Sequence, residues 1–372
     1  MASASEEPEG LTAAATTATT TTTTTATTTI TTTTTTSVDV DAVRSMNWSG
    51  SIPIVLSLAP SSLSSPTMPN PIHVMVPRQS HLHVGLKDAV KRLHKFAPAV
   101  LSLSLSMNHS LVRNEPKEGE ETEPSLTTEI PTHTNSTPNQ IAQDASTYPS
   151  CWFEDMETQT PLRWHLFAGV LWDLKPVPKT LPWKLRLHFT QYPAATHILP
   201  LETDPLTAVM RAFKNSLKQA LFLQYGSAKV AMNLSKQSHE QIWDSVLAVN
   251  YKLYQRVNHD LQTLHSTAKL LPVRLMMDSN PPIQKPLTIH SDTNNNNSIV
   301  TLGALLVAWA PTVFANVPRE NDNATTTSTT VTQWTIQGIR NIPLSTNLAD
   351  LWYALCHPDH FLYIIVTTSK SS

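Results

Sequence analysis

Short stretches of the chain alternate apolar and polar residues with a period of two. The clearest is 183–189, where apolar side chains alternate with Lys, Arg and His, and the same alternation marks 52–58 and 72–76. Such alternation is typical of strands with one buried and one solvated face. The Ser- and Pro-rich stretch between 60 and 71 separates two of these strands, so the pattern predicts a hairpin with a loose connection.

Other stretches place apolar residues at the 3.6-residue spacing of helices. The spacing predicts short helices over 41–48, 87–96 and 169–174, and a helical stretch from about 205 to 259 that Gly226 interrupts. The second helix of that stretch is expected to carry the apolar residues from Ile242 to Tyr254 as one element. The motif His81-Leu-His-Val predicts a short extended segment between the hairpin and the next helix.

The last third of the chain repeats the first in outline. Strands are predicted at 271–277, 283–289, 330–339 and 361–366, and helices at 302–309 and 347–355. A hairpin, a helix, further strands and a final buried strand describe the β-grasp, the fold of ubiquitin. The predicted class is therefore α+β, with two ubiquitin-like β-grasp domains flanking a helix-rich domain. The expected boundaries are 38–200 for the N-terminal helix and first ubiquitin-like domain, 201–262 for the helix-rich domain and 268–368 for the second.

Two segments have the composition of chain that does not fold. Residues 1–37 form a tail in which Thr and Ala dominate, and 108–148 is a long insertion rich in Glu, Ser, Thr and Pro. Neither offers enough apolar surface to offset the entropy of ordering, so both are expected to be disordered. An O-glycosylated stalk is the alternative for the tail, and it would require secretion. Leu101, Leu103 and Leu105 fit either a helix extension or a strand.

Bulk composition narrows the function without naming one. The formal charge is −2 and no basic stripe stands out, so nucleic-acid binding is not expected. The two cysteines form no CxxC pair, which favours a reducing compartment. Residues 299–317 are apolar enough to be weighed as a membrane span, but Pro311 would break that helix. A buried helix over Leu302–Trp309 is the preferred interpretation.

The sequence contains no recognisable catalytic or cofactor motif. Only eight glycines are present and none lies in a nucleotide-binding loop, nor is there a GxSxG or HExxH motif. His81 and His83 share a face of the predicted extended segment, yet no third or fourth ligand follows at a matching spacing, so no metal is expected. Cys151 and Cys356 lie beside apolar residues and are predicted to be small buried hydrophobes. We therefore expect neither cofactor nor metal.

Four groups of motifs, in order and at matching spacing, resemble the autophagy protein 5 family and cover most of the predicted folded chain. They are Trp48-Ser-Gly-Ser-Ile-Pro with Val76-Pro-Arg-Gln-Ser-His-Leu; Trp152-Phe-Glu with Thr160-Pro-Leu-Arg-Trp-His and Gly169-Val-Leu-Trp-Asp-Leu; Leu181-Pro-Trp with His188-Phe; and Leu217-Lys-Gln-Ala with Gly226-Ser-Ala-Lys-Val-Ala-Met and Ile242-Trp. The chain departs from the family in its Thr tract, its long insertion and a longer segment before Thr160.

The resemblance implies a protein that is not itself an enzyme. In this family a lysine of the helix-rich domain is joined covalently to the C-terminal glycine of autophagy protein 12, a ubiquitin-like modifier. The conjugate binds autophagy protein 16 and acts like an E3. It promotes transfer of autophagy protein 8 from its E2 to phosphatidylethanolamine. The resemblance implies a cytoplasmic protein that associates peripherally with the phagophore membrane.

The same resemblance places the acceptor lysine, and two further residues are candidates for partner binding. Lys218, in Leu217-Lys-Gln-Ala, is the expected isopeptide acceptor, with Lys214 and Lys229 as the nearest rivals. Arg78 is expected to pair with an acidic group on a partner helix, or else to be a surface arginine that ends a strand. Gly169 supports partner binding, or is a simple helix-start glycine. An unconjugated adaptor that binds helical partners, and an enzyme with an unrecognised site, are the competing functions.

Overall fold

The computed structural model describes residues 39–97, 149–190, 192–193, 204–227, 229–262, 270–277, 280–288, 290–291, 298–314 and 330–370. The predicted tail at 1–37 and the insertion at 108–148 lie outside these residues. So do Leu101, Leu103 and Leu105.

The first half of the described chain builds a five-stranded mixed sheet. Its strands are β1 (Ser51–Leu58), β2 (Ile72–Pro77), β3 (Trp152–Asp155), β4 (Thr160–Pro161) and β5 (Trp183–His188), in the order β2-β1-β5-β3-β4. The hairpin of β1 and β2 is antiparallel, and β1 lies parallel to β5 at the centre of the sheet. Alternate side chains of β1 and β5 are buried, as the alternation in the sequence predicted.

Within the described residues of this half, four α-helices accompany the sheet. They are α1 (Val40–Ser49), α2 (Leu82–Gly85), α3 (Lys87–His94) and α4 (Ala168–Leu174). The extended segment predicted for His81-Leu-His-Val is wrong, because only His81 pairs, in a single bridge to Phe167, and α2 begins at the next residue. The physical reason is burial: Leu82 and His83 are both fully buried, whereas a strand with one solvated face buries only alternate side chains.

The central segment is helical, as predicted. It comprises α5 (Pro205–Tyr225), α6 (Lys229–Asn233), α7 (Lys236–Leu247) and α8 (Tyr251–Gln262). The second helix of the prediction is two helices, because the chain breaks at Val249, whose φ is 49°. Asn250 then accepts a hydrogen bond from Leu253 N at 3.1 Å and so caps the next helix.

The last segment forms a second, four-stranded sheet and a small hairpin. The strands are β6 (Val273–Met277), β7 (His290–Ser291), β8 (Ser298–Ile299), β9 (Thr330–Ile336), β10 (Ile339–Arg340) and β11 (Leu362–Lys370); the helices are α9 (Leu302–Trp309), α10 (Pro311–Phe314) and α11 (Leu348–Leu355). The strand predicted at 283–289 is only two isolated bridges, Leu275 to Ile283 and Leu270 to Thr288. Prolines at 281, 282 and 286 donate no backbone hydrogen bond, which prevents a regular ladder there.

The two sheets share one architecture. In each, an early strand lies parallel to the last strand, β1 with β5 and β6 with β11. Each fold also has an isolated β-bridge between two residues that directly precede helices. In the first fold, His81 before α2 bridges Phe167 before α4, and in the second, Thr301 before α9 bridges Asn347 before α11. The molecule therefore contains two ubiquitin-like folds around a helical segment.

The packing of β11 explains how the second fold is attached. Leu362, Ile364 and Val366 belong to the core of the second fold. The intervening Tyr363 and Ile365 belong to the core shared by the first fold and the central helices. Both faces of this strand are buried, so the second sheet is held against the rest of the described chain by apolar burial.

Candidate acceptor lysine and the junction between the folds

The helix that carries Lys218 has well-defined ends. Asp204 accepts a hydrogen bond from Leu206 N at 3.1 Å, and Pro205 occupies the first turn, where a missing N–H costs nothing. The helix ends at Gly226, whose φ of 67° suits a residue without a Cβ. Its buried side includes Val209, Phe213, Leu217 and Leu221, which pack into the first core.

Lys218 lies on the exposed side of α5. Lys214, one turn earlier, is half-buried, and Lys229 is exposed on α6. Both Lys218 and Lys229 are therefore accessible to another protein, and exposure alone does not choose between them. Lys218 remains the predicted acceptor because of the motif around it.

Arg274 of β6 holds α5 against the second fold. Its guanidinium donates to Ser216 Oγ at 2.9 Å and to Gln219 Oε1 at 2.7 Å, so it contacts residues on either side of Lys218 along the helix. It also donates to Tyr363 Oη at 2.7 Å, and Asp359 Oδ2 lies 3.7 Å away. Burial raises the pKa of the Asp359 carboxyl, while Arg274 and the hydrogen bond from Ser216 act to lower it.

Sequence reasoning missed Arg274 and Asp359. The available signal was a charged residue inside the apolar strand at 271–277, which indicates a buried partner when that strand lies between two layers. The position of β6 between the two cores was not predictable from its own residues.

The structure brings two of the predicted site residues into contact. Gly169 N donates to Arg78 O at 2.9 Å, and a Cβ on Gly169 would lie 3.0 Å from both Arg78 O and Arg78 Cβ. A larger residue at the start of α4 would have to move Arg78 away by a few tenths of an ångström, so glycine favours this close approach. Lys218 lies elsewhere, on α5.

Arg78 already has a carboxylate within the chain. Its guanidinium forms a 2.5 Å salt bridge to Asp173 of α4, whose side chain also accepts from Gly338 N at 2.9 Å. Burial raises the pKa of the Asp173 carboxyl, and the nearby Arg78 is the largest influence that opposes the shift. Because Gly338 belongs to the turn between β9 and β10, this pair joins the two ubiquitin-like folds. The role predicted for Arg78 toward a partner remains a prediction.

A second polar contact crosses the same junction. Gln79 Nε2 donates to Gln337 Oε1 at 2.9 Å, and Gln337 Nε2 donates to Leu355 O at 3.2 Å. Gln337 also lies 3.1 Å from His357 Nδ1. Because these side chains are buried, their hydrogen bonds fix the relative orientation of the elements that carry them.

His81 and His83 lie in the interior of the first fold. Both rings are buried, and burial lowers the pKa of each to about 3, so both are neutral at physiological pH. Within the described ranges, no three His, Cys, Asp or Glu side chains are grouped to hold a metal ion. Cys151 is fully buried, as predicted, 3.8 Å from His83 Nδ1. Among the described residues, every helix is too short or too polar to cross a bilayer.

Comparison with known families decides the identity of the fold. Three family sequence models match, each described under autophagy protein ATG5: the UblA domain at residues 47–110 and 124–189, the alpha-helical bundle region at 206–264 and the UblB domain at 270–366. The chain belongs to the autophagy protein 5 family. The members of this family act in autophagy, and the matched domains follow the order of the two ubiquitin-like folds and the helices between them.

Individual members of the autophagy protein 5 family show the extent of the likeness. Autophagy protein 5 of Aspergillus fumigatus is 24% identical over 88% of this chain and 96% of its own length. That of Arabidopsis thaliana is 34% identical over 30% of this chain and 32% of its own. The crystal structure of Kluyveromyces marxianus Atg5 superposes with a TM-score of 0.59 at 21% identity, covering 87% of this chain and 99% of that one. At that identity the superposition shows the fold alone.

Proposed function

We propose that this chain is a non-catalytic autophagy scaffold that is conjugated through Lys218 to the ubiquitin-like autophagy protein 12. Family membership supports the autophagy role. The exposed position of Lys218 on a helix anchored from both sides supports the choice of acceptor. Apolar packing holds one face of α5, and Arg274 holds it beside the lysine.

The reaction at Lys218 is an acyl transfer. The uncharged amine attacks the thioester that links the modifier's C-terminal glycine to a cysteine of its conjugating enzyme. An isopeptide bond forms, the carbon–sulfur bond breaks and the thiol leaves. The chain contributes the amine and its position, and the conjugating enzyme contributes the activated acyl group.

The conjugate then acts by bringing proteins together. Autophagy protein 16 binds through a helix in a groove between the folded units, and the attached modifier recruits the E2 of autophagy protein 8. Lipidation of autophagy protein 8 follows at the phagophore membrane, to which the chain is bound peripherally. Arg78 and Gly169 support partner binding because they shape the junction where the two ubiquitin-like folds meet. We retain 38–200, 201–262 and 268–368 as the proposed domain boundaries.

Replacing the acceptor tests this function. Lys218→Arg keeps the charge but removes the nucleophilic amine, so the adduct of ubiquitin-like size should disappear from protein extracted from its own cells. Intact-mass spectrometry measures it. Lys214→Arg and Lys229→Arg are the matched controls and should keep the adduct. An adduct that persists in Lys218→Arg would refute the site, and a wild-type chain that never carries one would favour the unconjugated adaptor.

A further inference from the structure

Helix α3 presents a basic face to the surface of the first fold. Lys87, Lys91 and Lys95 follow one another at intervals of four residues, and Lys95 keeps helical backbone angles just after the helix, so all three lie on one side. Arg92 lies next to them around the helix, and Asp88 is the only acidic residue of α3. Lys91 is half-buried and the other three cations are exposed. We call these three lysines and Arg92 the basic face.

The four cations of the basic face have no ion-pair partner among the described residues. The negative end of the helix dipole accounts for the cations in the last turn of α3. It does not account for Lys87, which lies in the first turn, where the dipole disfavours a positive charge. The basic face therefore carries more positive charge than the stability of its own helix explains.

An apolar groove of about 410 Å³ adjoins the basic face. Arg92, Leu93 and Phe96 line it from the end of α3, and Met68 and Ile72 line it from β2 and the segment before β2. Met68 and Phe96 are 46% and 37% exposed. Because Arg92 belongs to both the groove and the basic face, the two form one surface, which suits a ligand that carries apolar and acidic groups together.

Residues 111–123 of the same chain have this composition. They begin with Leu111 and Val112, and they continue with five glutamates within 115–123, against the single Lys117. The charge of this segment is thus opposite to that of the basic face, and its apolar residues come directly before the acidic ones. The segment lies outside the described residues.

The place of this segment in the chain brings it near α3. The family model of the UblA domain matches 47–110 and 124–189, so the unmatched residues between them are an addition to a domain that continues on both sides. Leu111 is 14 residues beyond Ala97, the last described residue after α3. A chain of that length without regular structure spans about 20 Å, and α3 is about 12 Å long. The connection therefore holds the segment at a high effective concentration around the basic face.

We propose that residues 111–123 dock on the basic face of α3 within the same chain. The glutamates pair with the four cations, and the two apolar residues at the start of the segment enter the adjoining groove. Exposed ion pairs are individually weak and are screened by salt, but several of them act together here. Docking neutralises α3, so a polyanion from outside has to displace the chain's own segment. The inference goes beyond the proposed function and does not depend on conjugation at Lys218.

Carbodiimide cross-linking of the full chain tests the docking, because this reagent joins a carboxylate to an amine where the two already form an ion pair. At low ionic strength, mass spectrometry should find glutamates of 115–123 linked to Lys87, Lys91 or Lys95. In 1 M salt, where the Debye length is about 3 Å, these links should fall about tenfold. Glu129, in the same insertion, is the internal comparison and should link to these lysines at a lower yield.

Arg92→Gln weakens the docking without removing a reactive amine. Arg92 forms no cross-link itself, so fewer links at the three lysines report a lower population of the docked state. We expect the yield to fall about threefold, as for the loss of one exposed ion pair. Arg256→Gln, which replaces an exposed arginine of α8, is the matched control and should keep the wild-type yield. Thermal melting followed by circular dichroism checks that both variants are folded.

Mixing isotope-labelled with unlabelled chains identifies the occupant. Links that join only peptides of the same isotope support docking within one chain, whereas mixed links would show that a second copy supplies the segment and would overturn the proposal. Links from 115–123 that are absent, or spread equally over Lys184, Lys229 and Lys252, would also overturn it, as would a wild-type yield in Arg92→Gln. Each of these results leaves the proposed conjugation at Lys218 standing.

Discussion

Gly169 is a residue whose side chain the fold leaves little room to enlarge. Its missing Cβ lets α4 approach Arg78, whose backbone oxygen accepts from Gly169 N and whose guanidinium pairs with Asp173. The nearest atoms include backbone, which does not move aside as a flexible side chain would. A methyl group there must displace either α4 or the end of the hairpin.

Gly169→Ala is therefore expected to destabilise the chain by about 1–3 kcal/mol, the usual cost of overpacking. Guanidinium denaturation followed by fluorescence measures it. Gly226→Asn is the control, because nothing lies within 4 Å of that position and Asn tolerates a positive φ. It should lose less than about 1 kcal/mol. Equal stability of Gly169→Ala and the wild type would show that the close approach is not needed.

Among the elements, α5 carries the proposed acceptor lysine, and Arg274 attaches this helix to the second fold. The guanidinium lies over the Phe361 ring at 3.6 Å and beside Asp359, whose carboxylate accepts from Ser216 Oγ at 2.6 Å. Asp359 is 1% exposed, so its charge depends on these contacts for solvation.

Arg274→Met removes the cation and leaves the Asp359 carboxylate buried without it. We expect a loss of about 3–5 kcal/mol, as for a broken buried ion pair. Hydrogen exchange over Pro205–Tyr225 should accelerate in parallel, because α5 loses its contacts at Ser216 and Gln219. The double variant Arg274→Met, Asp359→Asn carries no buried charge and should recover part of the loss. A double variant as unstable as the sum of the single ones would show that the two side chains act independently.

At the scale of the whole molecule, buried histidines make the fold sensitive to acid. Burial lowers the pKa of His81, His83 and His357 to about 3 and that of His165 to about 4. Their folded-state pKa values lie below the unfolded value near 6.5, so the unfolded chain takes up protons first as the pH falls. The stability that these rings contribute is present above pH 6.5 and is lost toward pH 3–4.

Each such ring lowers the free energy of unfolding by about 1.4 kcal/mol for each pH unit below 6.5, and the four together lower it by about 5 kcal/mol per unit. Asp173 and Asp359 offset part of this, because burial raises their pKa values and they take up protons in the folded state. The net unfolding free energy should fall by several kcal/mol between pH 7 and 5. Urea titrations at a series of pH values measure it, with His73→Gln as an exposed control. A flat profile over that range would contradict the neutral buried rings.

Local patterns predicted most elements, and contacts between distant segments explain the rest. β1 and β5 follow from alternation alone, and α5 from a period of 3.6. The strand predicted at 283–289 is wrong because prolines in and before this segment interrupt the ladder despite the apolar alternation. The extended segment predicted at His81 is wrong because Leu82 and His83 are both buried in a short helix. A pattern of four residues does not reveal burial of consecutive side chains.

The candidate site divides in the same way. The motifs located Lys218, Arg78 and Gly169, but the partners of those residues lie far away in the chain. Asp173 lies 95 residues beyond Arg78, and Arg274 lies 58 beyond Ser216. One sequence holds no information on which distant charges meet, so the junction appears only in the folded chain.

The most direct test is peptide mapping of this protein purified from starved cells of its own organism. After proteolysis, tandem mass spectrometry should recover a branched peptide in which the Lys218 side chain is joined to the C-terminal glycine of autophagy protein 12. An unbranched peptide across Lys218 in the high-mass conjugate, with the branch at Lys214, Lys229 or nowhere in the chain, would contradict the account.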